Sequence, residues 1–506
     1  MQFMAFNLNT IRFFIATLLL LVGQYTFAKT DIYASNGYYT STVTWEKSKS
    51  PYILHADVNI EKRGTLIIEP GVEVVGNNKK IKVGGRLYAG YVEGHKNDNP
   101  KNEKVTLKNT YIETAGIGDR IMNLSHLNMT SGSIIFSSRE RTLTKDFNLT
   151  NSIFKNTNMR GDYMQGNASF TNNTLEDSIF ECYECGVLYD YWGAPATGNF
   201  IIINNNAVGR SSKIKLNSHK FDNITVIGNT FTNSSNGLNI QPHWTVSSYY
   251  HKYGDWYDLW TEPATIEIKG NTFNKDQRGI DVGAGLYDIS GNKFIESPGI
   301  KYAGGETGQQ GAFSFKINNN YFIKQKGSNG SSTNIYAIQN TNAGGVGLEL
   351  KDNTFCSKDR VALRLSTDKR ARMKAGSNYW NTTNKTLIQR NMVFDHLVDL
   401  DVKNTISYGV HNQDRNPNLS SSLESACAAE AEGSEPEDAP ACTLGGMILP
   451  GAPTLDPASC SVYNIIEDVQ IPKGVILKAN PGVQIEGKNK RIKVEGSIDF
   501  VGSKDS

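Results

Sequence analysis

Between Gln241 and Pro263 the chain gathers Trp244, Tyr249, Tyr250, Tyr253, Trp256, Tyr257 and Trp260 with His243, His251, Asp255, Asp258 and Glu262. Aromatic faces stack on the apolar faces of sugar rings, while imidazoles and carboxylates hydrogen-bond ring hydroxyls. The ligand-binding set read from this segment is His243, Trp244, Tyr250, Tyr253, Trp256, Tyr257 and Trp260. Asp255, Asp258 and Glu262 are the candidates for an acid/base pair. Such a pair must flank a glycosidic bond at a set separation, which sequence spacing does not fix. The plain alternative is that the aromatics cover a gap in the wall of the fold. A second patch, Tyr189, Asp190, Tyr191 and Trp192, follows shortly after Cys182 and Cys185.

Other chemistries have less support. Cys182 and Cys185 form a C-x-x-C without the second C-x-x-C or His pair that zinc requires, so a local disulfide or two packed thiols is expected. Cys427 and Cys442 flank an acidic stretch and are a candidate bridge; Cys442 with Cys460 is the alternative. The carboxylates of Ser420–Ala441 lack regular ligand spacing, so no cofactor is expected, calcium being the one alternative. A net charge of +2 lacks the basic footprint of a nucleic-acid binder.

The elements that would carry these residues are short strands. Clusters of Val, Ile and Thr separated by Asn and Gly favour strands and turns, and no helical period persists after residue 28. Strand residues are followed repeatedly by Asn-x-aromatic or Asn-x-aliphatic, with markers Asn109, Asn151, Asn173, Asn206, Asn229, Asn271, Asn292, Asn320 and Asn353. Their spacings of 42, 22, 33, 23, 42, 21, 28 and 33 residues fit coils of about 21–23, singly, doubled or with inserted loops. Each coil would bury an apolar stripe against its neighbours, with Phe inward and Asn bonding Asn one coil away. These residues read as architecture. The aromatic segment falls where the spacing doubles.

A longer repeat aligns Asp57–Gly85 with Asp468–Gly496 without gaps, about half the positions being identical, and Tyr52 matches Tyr463. The expected organisation is a signal peptide at 1–28, a β-helix at 29–418, an acidic flexible linker at 419–444 and the first coils of a second unit at 445–506. Because two coils cannot bury a solenoid core, the last unit reads as truncated. The signal peptide rests on Arg12, the apolar run Phe13–Val22, and small residues at Thr26 and Ala28. No later segment is long and apolar enough to span a bilayer.

Tyr52–Gly85, with its Ile-Glu-Pro-Gly-Val turn, and Asn378-Tyr379-Trp380-Asn381-Thr382-Thr383 resemble elements of right-handed parallel β-helix proteins of the pectin-lyase-like group, of the bacterial secreted and surface type. The closing element usually reads Asn-Tyr-Trp-Gly-Thr-Thr, so Asn381 stands in place of Gly. The resemblance implies an all-β, right-handed parallel β-helix solenoid, and it specifies fold better than function. The polygalacturonase and epimerase signatures of that group are absent. Arg278 and Asp281 suit the base and calcium ligand of a pectate lyase, but no acidic cluster accompanies them in sequence. The function expected is a secreted or cell-surface β-helix that binds extracellular polysaccharide or mediates adhesion without catalysis, as a monomeric unit in a longer chain. The alternative is a polysaccharide lyase or glycoside hydrolase acting on an acidic polysaccharide.

Overall fold

The computed structural model describes residues 29–90, 103–115, 120–136, 144–162, 167–183, 198–219, 223–242, 248–250, 256–258, 265–283, 285–302, 314–324, 336–341, 347–357, 360–367, 371–397, 402–413, 416–432, 442–448, 452, 454–487 and 490–500. The signal peptide expected at 1–28 and the patch at 189–192 lie outside these residues.

The chain winds as an all-β parallel β-helix. Each regular coil lays down three strands, as in Thr265–Lys269, Thr272–Asn274 and Ile280–Val282. The first of these belongs to a 14-stranded wall running from Thr42–Trp45 to Ser407–Val410. The second and third walls form one 25-stranded sheet, because Leu127–Ile135 and Ile153–Asp162 run through the corner between them. Alternation sets the inside: in Thr265–Lys269, Ile266 and Ile268 are buried while Thr265, Glu267 and Lys269 face out.

Two features hold the coils in register. Phe231, Phe273, Phe294 and Phe322 stack at 4.9 Å between successive centroids, and Phe355 and Trp380 continue the column. Beside them runs a buried amide ladder through Asn173, Asn205, Asn229, Asn271, Asn292, Asn320, Asn353 and Asn378. In each step the backbone N–H and Nδ2 of one Asn both donate to Oδ1 of the next, as Asn271 does to Asn292 at 2.9 Å. The ladder spans sequence separations of 32, 24, 42, 21, 28, 33 and 25 residues. Coils of unequal length are thus pinned to one geometry.

The structure corrects three of the marker residues. Asn206 is exposed and the ladder position is Asn205. Asn151 and Asn109 are off by one in the other direction, preceding their inward-facing residues Ser152 and Thr110. Two tasks assigned to one Asn are divided between neighbours. The turn residue takes the left-handed conformation, at Asn109, Asn151, Asn172, Asn204, Asn319 and Asp352 or at Gly228, Gly270 and Gly291, and the residue after it turns inward.

The segment 419–444, expected to be a flexible linker, is a helix over Ser421–Glu432. Leu423 and Cys427 pack on Ile323 and Cys356, and Cys356 bonds Cys427, so the expected bridge from Cys427 to Cys442 is not formed. Cys442 bonds Cys460 instead, 18 residues away within the second unit. Composition pointed to disorder because few apolar residues are present; the covalent anchor and two buried side chains suffice to order the helix. Asn381 takes a left-handed φ of 57°, as the Gly it replaces would, and its amide donates to the carbonyls of Cys356 and Cys427. Among the described residues no helix is long and apolar enough to cross a membrane.

The second unit repeats the first down to single hydrogen bonds. Ile476 pairs with Ser497 as Thr65 pairs with Arg86. Asp468 Oδ1 accepts the Arg491 N–H at 3.0 Å, as Asp57 Oδ1 accepts that of Lys80 at 3.0 Å. Its separate core centres on Val469, Ile471 and Leu477.

Candidate functional site

From residue 151 onward most long insertions fall at one corner, between the third wall and the next first-wall strand. Residues 184–198 follow Ile179–Tyr183, 243–264 follow Leu238–Pro242, 303–313 follow Ile300–Tyr302, and 342–346 follow Ile338–Asn340. Both aromatic segments therefore leave the solenoid from the same wall, with one strand, Lys213–His219, between their departure points. The physical reason lies in the turns. The corner between first and second walls is closed tightly by a left-handed residue and a buried ladder residue, which leaves no room for added chain. Among the described residues no such ladder lines the corner from the third wall back to the first.

Part of the larger insertion is ordered as a hairpin. Ser248–Tyr250 and Trp256–Asp258 form the only antiparallel pair among the described strands, with Tyr249 opposite Tyr257 and Tyr250 opposite Trp256. Four sequence candidates, Tyr250, Trp256, Tyr257 and Asp258, are thus brought into one hairpin. His243, Trp244, Tyr253, Asp255, Trp260 and Glu262 lie outside the described residues.

The third wall itself presents a polar row that the sequence did not reveal. In-register pairing aligns Arg160, Glu181, Lys215, Asn239, Asp281, Lys301, Gln339 and Arg364, one per coil. Neighbouring strands lie about 4.8 Å apart, a pitch comparable to one pyranose ring of an extended glycan. Lys215 and Lys213 both reach Glu181, at 3.0 and 3.6 Å. Burial opposes ionisation of Glu181, but these ammoniums outweigh it and its pKa lies below the ordinary value.

Beyond Asn239 the row is more deeply set. Asp281 is 9% exposed and Arg278 lies 3.8 Å from its carboxylate. Burial raises the Asp281 pKa, against the pull of Lys301 and Arg278. Tyr336 sits close by; burial, and then the Asp281 charge, push its phenol well above the ordinary value, while Arg364 and Arg278 oppose. Arg364 also lies over the Phe394 ring, 4.9 Å from its centroid. Oδ1 of Asn239 is buried and has no hydrogen-bond partner among the described residues. The arrangement offers cationic, amide and phenolic groups along a line, around a carboxyl reluctant to ionise. Among the described residues no three His, Cys, Asp or Glu side chains come together as a metal site.

Asn239, Lys301, Gln339, Tyr336 and Arg364 were missed by sequence reasoning because coils of unequal length bring them into line. The only sequence signal was their place at the outward position of an alternating triplet, such as Ile300-Lys301-Tyr302.

Cys182 is disulfide-bonded, and its C-x-x-C partner position, Cys185, is outside the described residues. No known protein family, curated protein or solved structure matches this chain. The fold and its corner therefore define the class, a parallel β-helix with an elaborated third-wall edge, and the function rests on the site alone.

Proposed function

We propose that this chain is a secreted or cell-surface β-helix protein that binds an extracellular polysaccharide along the third wall, without chemistry. The observation carrying this reading is that both aromatic-rich insertions leave the same wall that presents the polar row from Glu181 to Arg364. Loops on a rigid scaffold are where binding residues concentrate. A wall that presents a row of polar groups and sends out aromatic-rich segments suits a chain of sugars, whose ring faces are apolar and whose edges are hydroxylated. The described bonds Cys356–Cys427 and Cys442–Cys460, with Cys182 also disulfide-bonded, accord with an oxidising compartment, as would follow from a cleaved signal peptide. The pectin-lyase-like resemblance belongs with this reading.

The test is affinity electrophoresis in gels containing candidate polysaccharides. The double substitution Trp244→Ala with Trp256→Ala is expected to abolish retardation, a loss of at least about tenfold in affinity if each ring contributes about 1 kcal/mol of stacking. Retardation equal to the parent protein's would defeat the proposal. A second reading, a lyase or hydrolase on an acidic polysaccharide, is favoured by one observation: a desolvated Asp281 beside Lys301 and Tyr336 is the kind of perturbed cluster that active sites collect. Appearance of unsaturated products from uronate polymers would select it.

A further inference from the structure

The corner between the second and third walls carries its own ladder, built from small hydroxyls. Thr157, Ser178, Ser212, Ser234 and Ser297 occupy it, all buried, and Ser178 and Ser297 accept backbone N–H groups from the preceding coil at 3.0 and 2.8 Å. One position in the series is different: Asp276 stands between Ser234 and Ser297.

Asp276 faces the turn Ser234–Gly237, which leads directly into Leu238–Pro242, the strand from which the large aromatic insertion leaves. Its Oδ1 accepts the Gln277 N–H at 3.0 Å, while Oδ2 is buried and has no partner in hydrogen-bonding geometry among the described residues. Gly237 is required here: its φ is 48°, and a Cβ would collide with Asp276 Oδ2 and the Gly279 carbonyl. The Ser234 hydroxyl donates to the Ser212 carbonyl, and its oxygen accepts the Gly237 N–H at 3.0 Å. Asp276 Oδ2 and the Gly279 carbonyl oxygen thus crowd the same face of Gly237 inside the wall, an apolar and oxygen-lined setting that favours a proton on Oδ2 over a bare carboxylate.

We propose that Asp276 is a pH-operated latch at the root of the aromatic insertion: as a neutral acid it holds the Ser234–Gly237 turn against the next coil, and as a carboxylate it loosens that turn and the strand Leu238–Pro242. As a control on glycan binding, the latch rests on the reading above. Burial raises the Asp276 pKa to about 7, tempered by the Gln277, Gly279 and Gly237 amides and the Ser234 hydroxyl. The charged residues on the stacked turns are Asp177, Arg210, Lys275, Arg278 and Glu296. The first four are exposed and Glu296 is half-buried, so Asp276 is the one among them enclosed by the ladder. Because the folded value is raised above the ordinary 3.8, the closed form is favoured at low pH and loses ground as pH rises through about 7.

Hydrogen exchange of residues 234–242, corrected for intrinsic rates, tests this directly. Linkage between values of 3.8 and about 7 predicts about a thirtyfold rise in local opening from pH 5.5 to 8.5. Asp276→Ser restores the ladder's own residue type and Asp276→Asn keeps the shape without the charge; both should make exchange independent of pH. Flat exchange in the parent protein, or an equal rise in both variants, would overturn the latch. Polysaccharide retardation measured over the same pH range separates the two readings. Exchange that follows the expectation with no glycan retained at any pH removes the binding function and leaves the latch standing.

Discussion

Replacing Asn292 by alanine is expected to lower the stability of the first β-helix by about 4 kcal/mol, whereas the same change at Asn206 costs less than about 0.5 kcal/mol. The difference follows from what each side chain touches. Oδ1 of Asn292 is the acceptor for both the N–H and the Nδ2 of Asn271, at 2.9 Å each. Its Nδ2 donates to the Ile268 carbonyl at 2.8 Å and to Asn320 Oδ1 at 2.9 Å. Truncation leaves two buried donors without an acceptor and removes a donor from two buried acceptors. A buried polar group left unmade costs about 1–3 kcal/mol; Asn320 Oδ1 keeps the residue 292 N–H at 3.0 Å, so the two Asn271 donors and the Ile268 carbonyl bring the sum to the stated value. Asn206 contributes only its backbone to the wall, through its N–H to the Asn173 carbonyl at 2.8 Å, and its side chain is exposed. Urea denaturation of the two variants beside the parent protein reads the contrast. Equal midpoints would mean that the amide ladder does not hold the coils.

Cys427→Ser is expected to release the helix Ser421–Glu432 from the solenoid. The bond between Cys356 and Cys427 closes a sequence separation of 71 residues, worth about 4 kcal/mol of loop-closure entropy in the unfolded chain. What remains without it is small. The helix has 12 residues, too few to persist alone in water, and beyond the cysteine it buries chiefly Leu423. Limited proteolysis should cut the variant within 421–432 where the parent resists, and mild reduction of the parent should reproduce that cut. Cys460→Ser breaks only the bond within the second unit and should leave the helix protected. A variant as resistant as the parent would assign the docking to packing alone.

The two expectations draw on different levels of information. The Asn residues were visible as a recurring type at near-regular spacing, because a stack of equivalent turns asks for the same residue each time. Which Asn faces inward was not visible at Asn204, Asn205 and Asn206, since a shift of one residue exchanges the ladder position for the turn before it or the exposed strand position after it. The internal repeat was legible in full: Asp57 and Asp468 make the same bond because neighbouring coils in each unit have the same length. The helix Ser421–Glu432 was not, because its order comes from a partner cysteine far back in the chain.

The aromatic segment Gln241–Pro263 stood out in the sequence by its composition alone, and so did its place in an interrupted coil. The sequence by itself determined the all-β solenoid, its inward Phe column and the interruption, since strand alternation, turn chemistry and spacing are local properties. Only the tertiary structure decided that both aromatic segments leave one wall, and that Asp281, Lys301, Gln339 and Arg364 line up on that wall. The reason is physical: register across a parallel β-helix is set by the ladders at its corners. Insertions of any length at the third corner change the sequence separation without changing which residues meet.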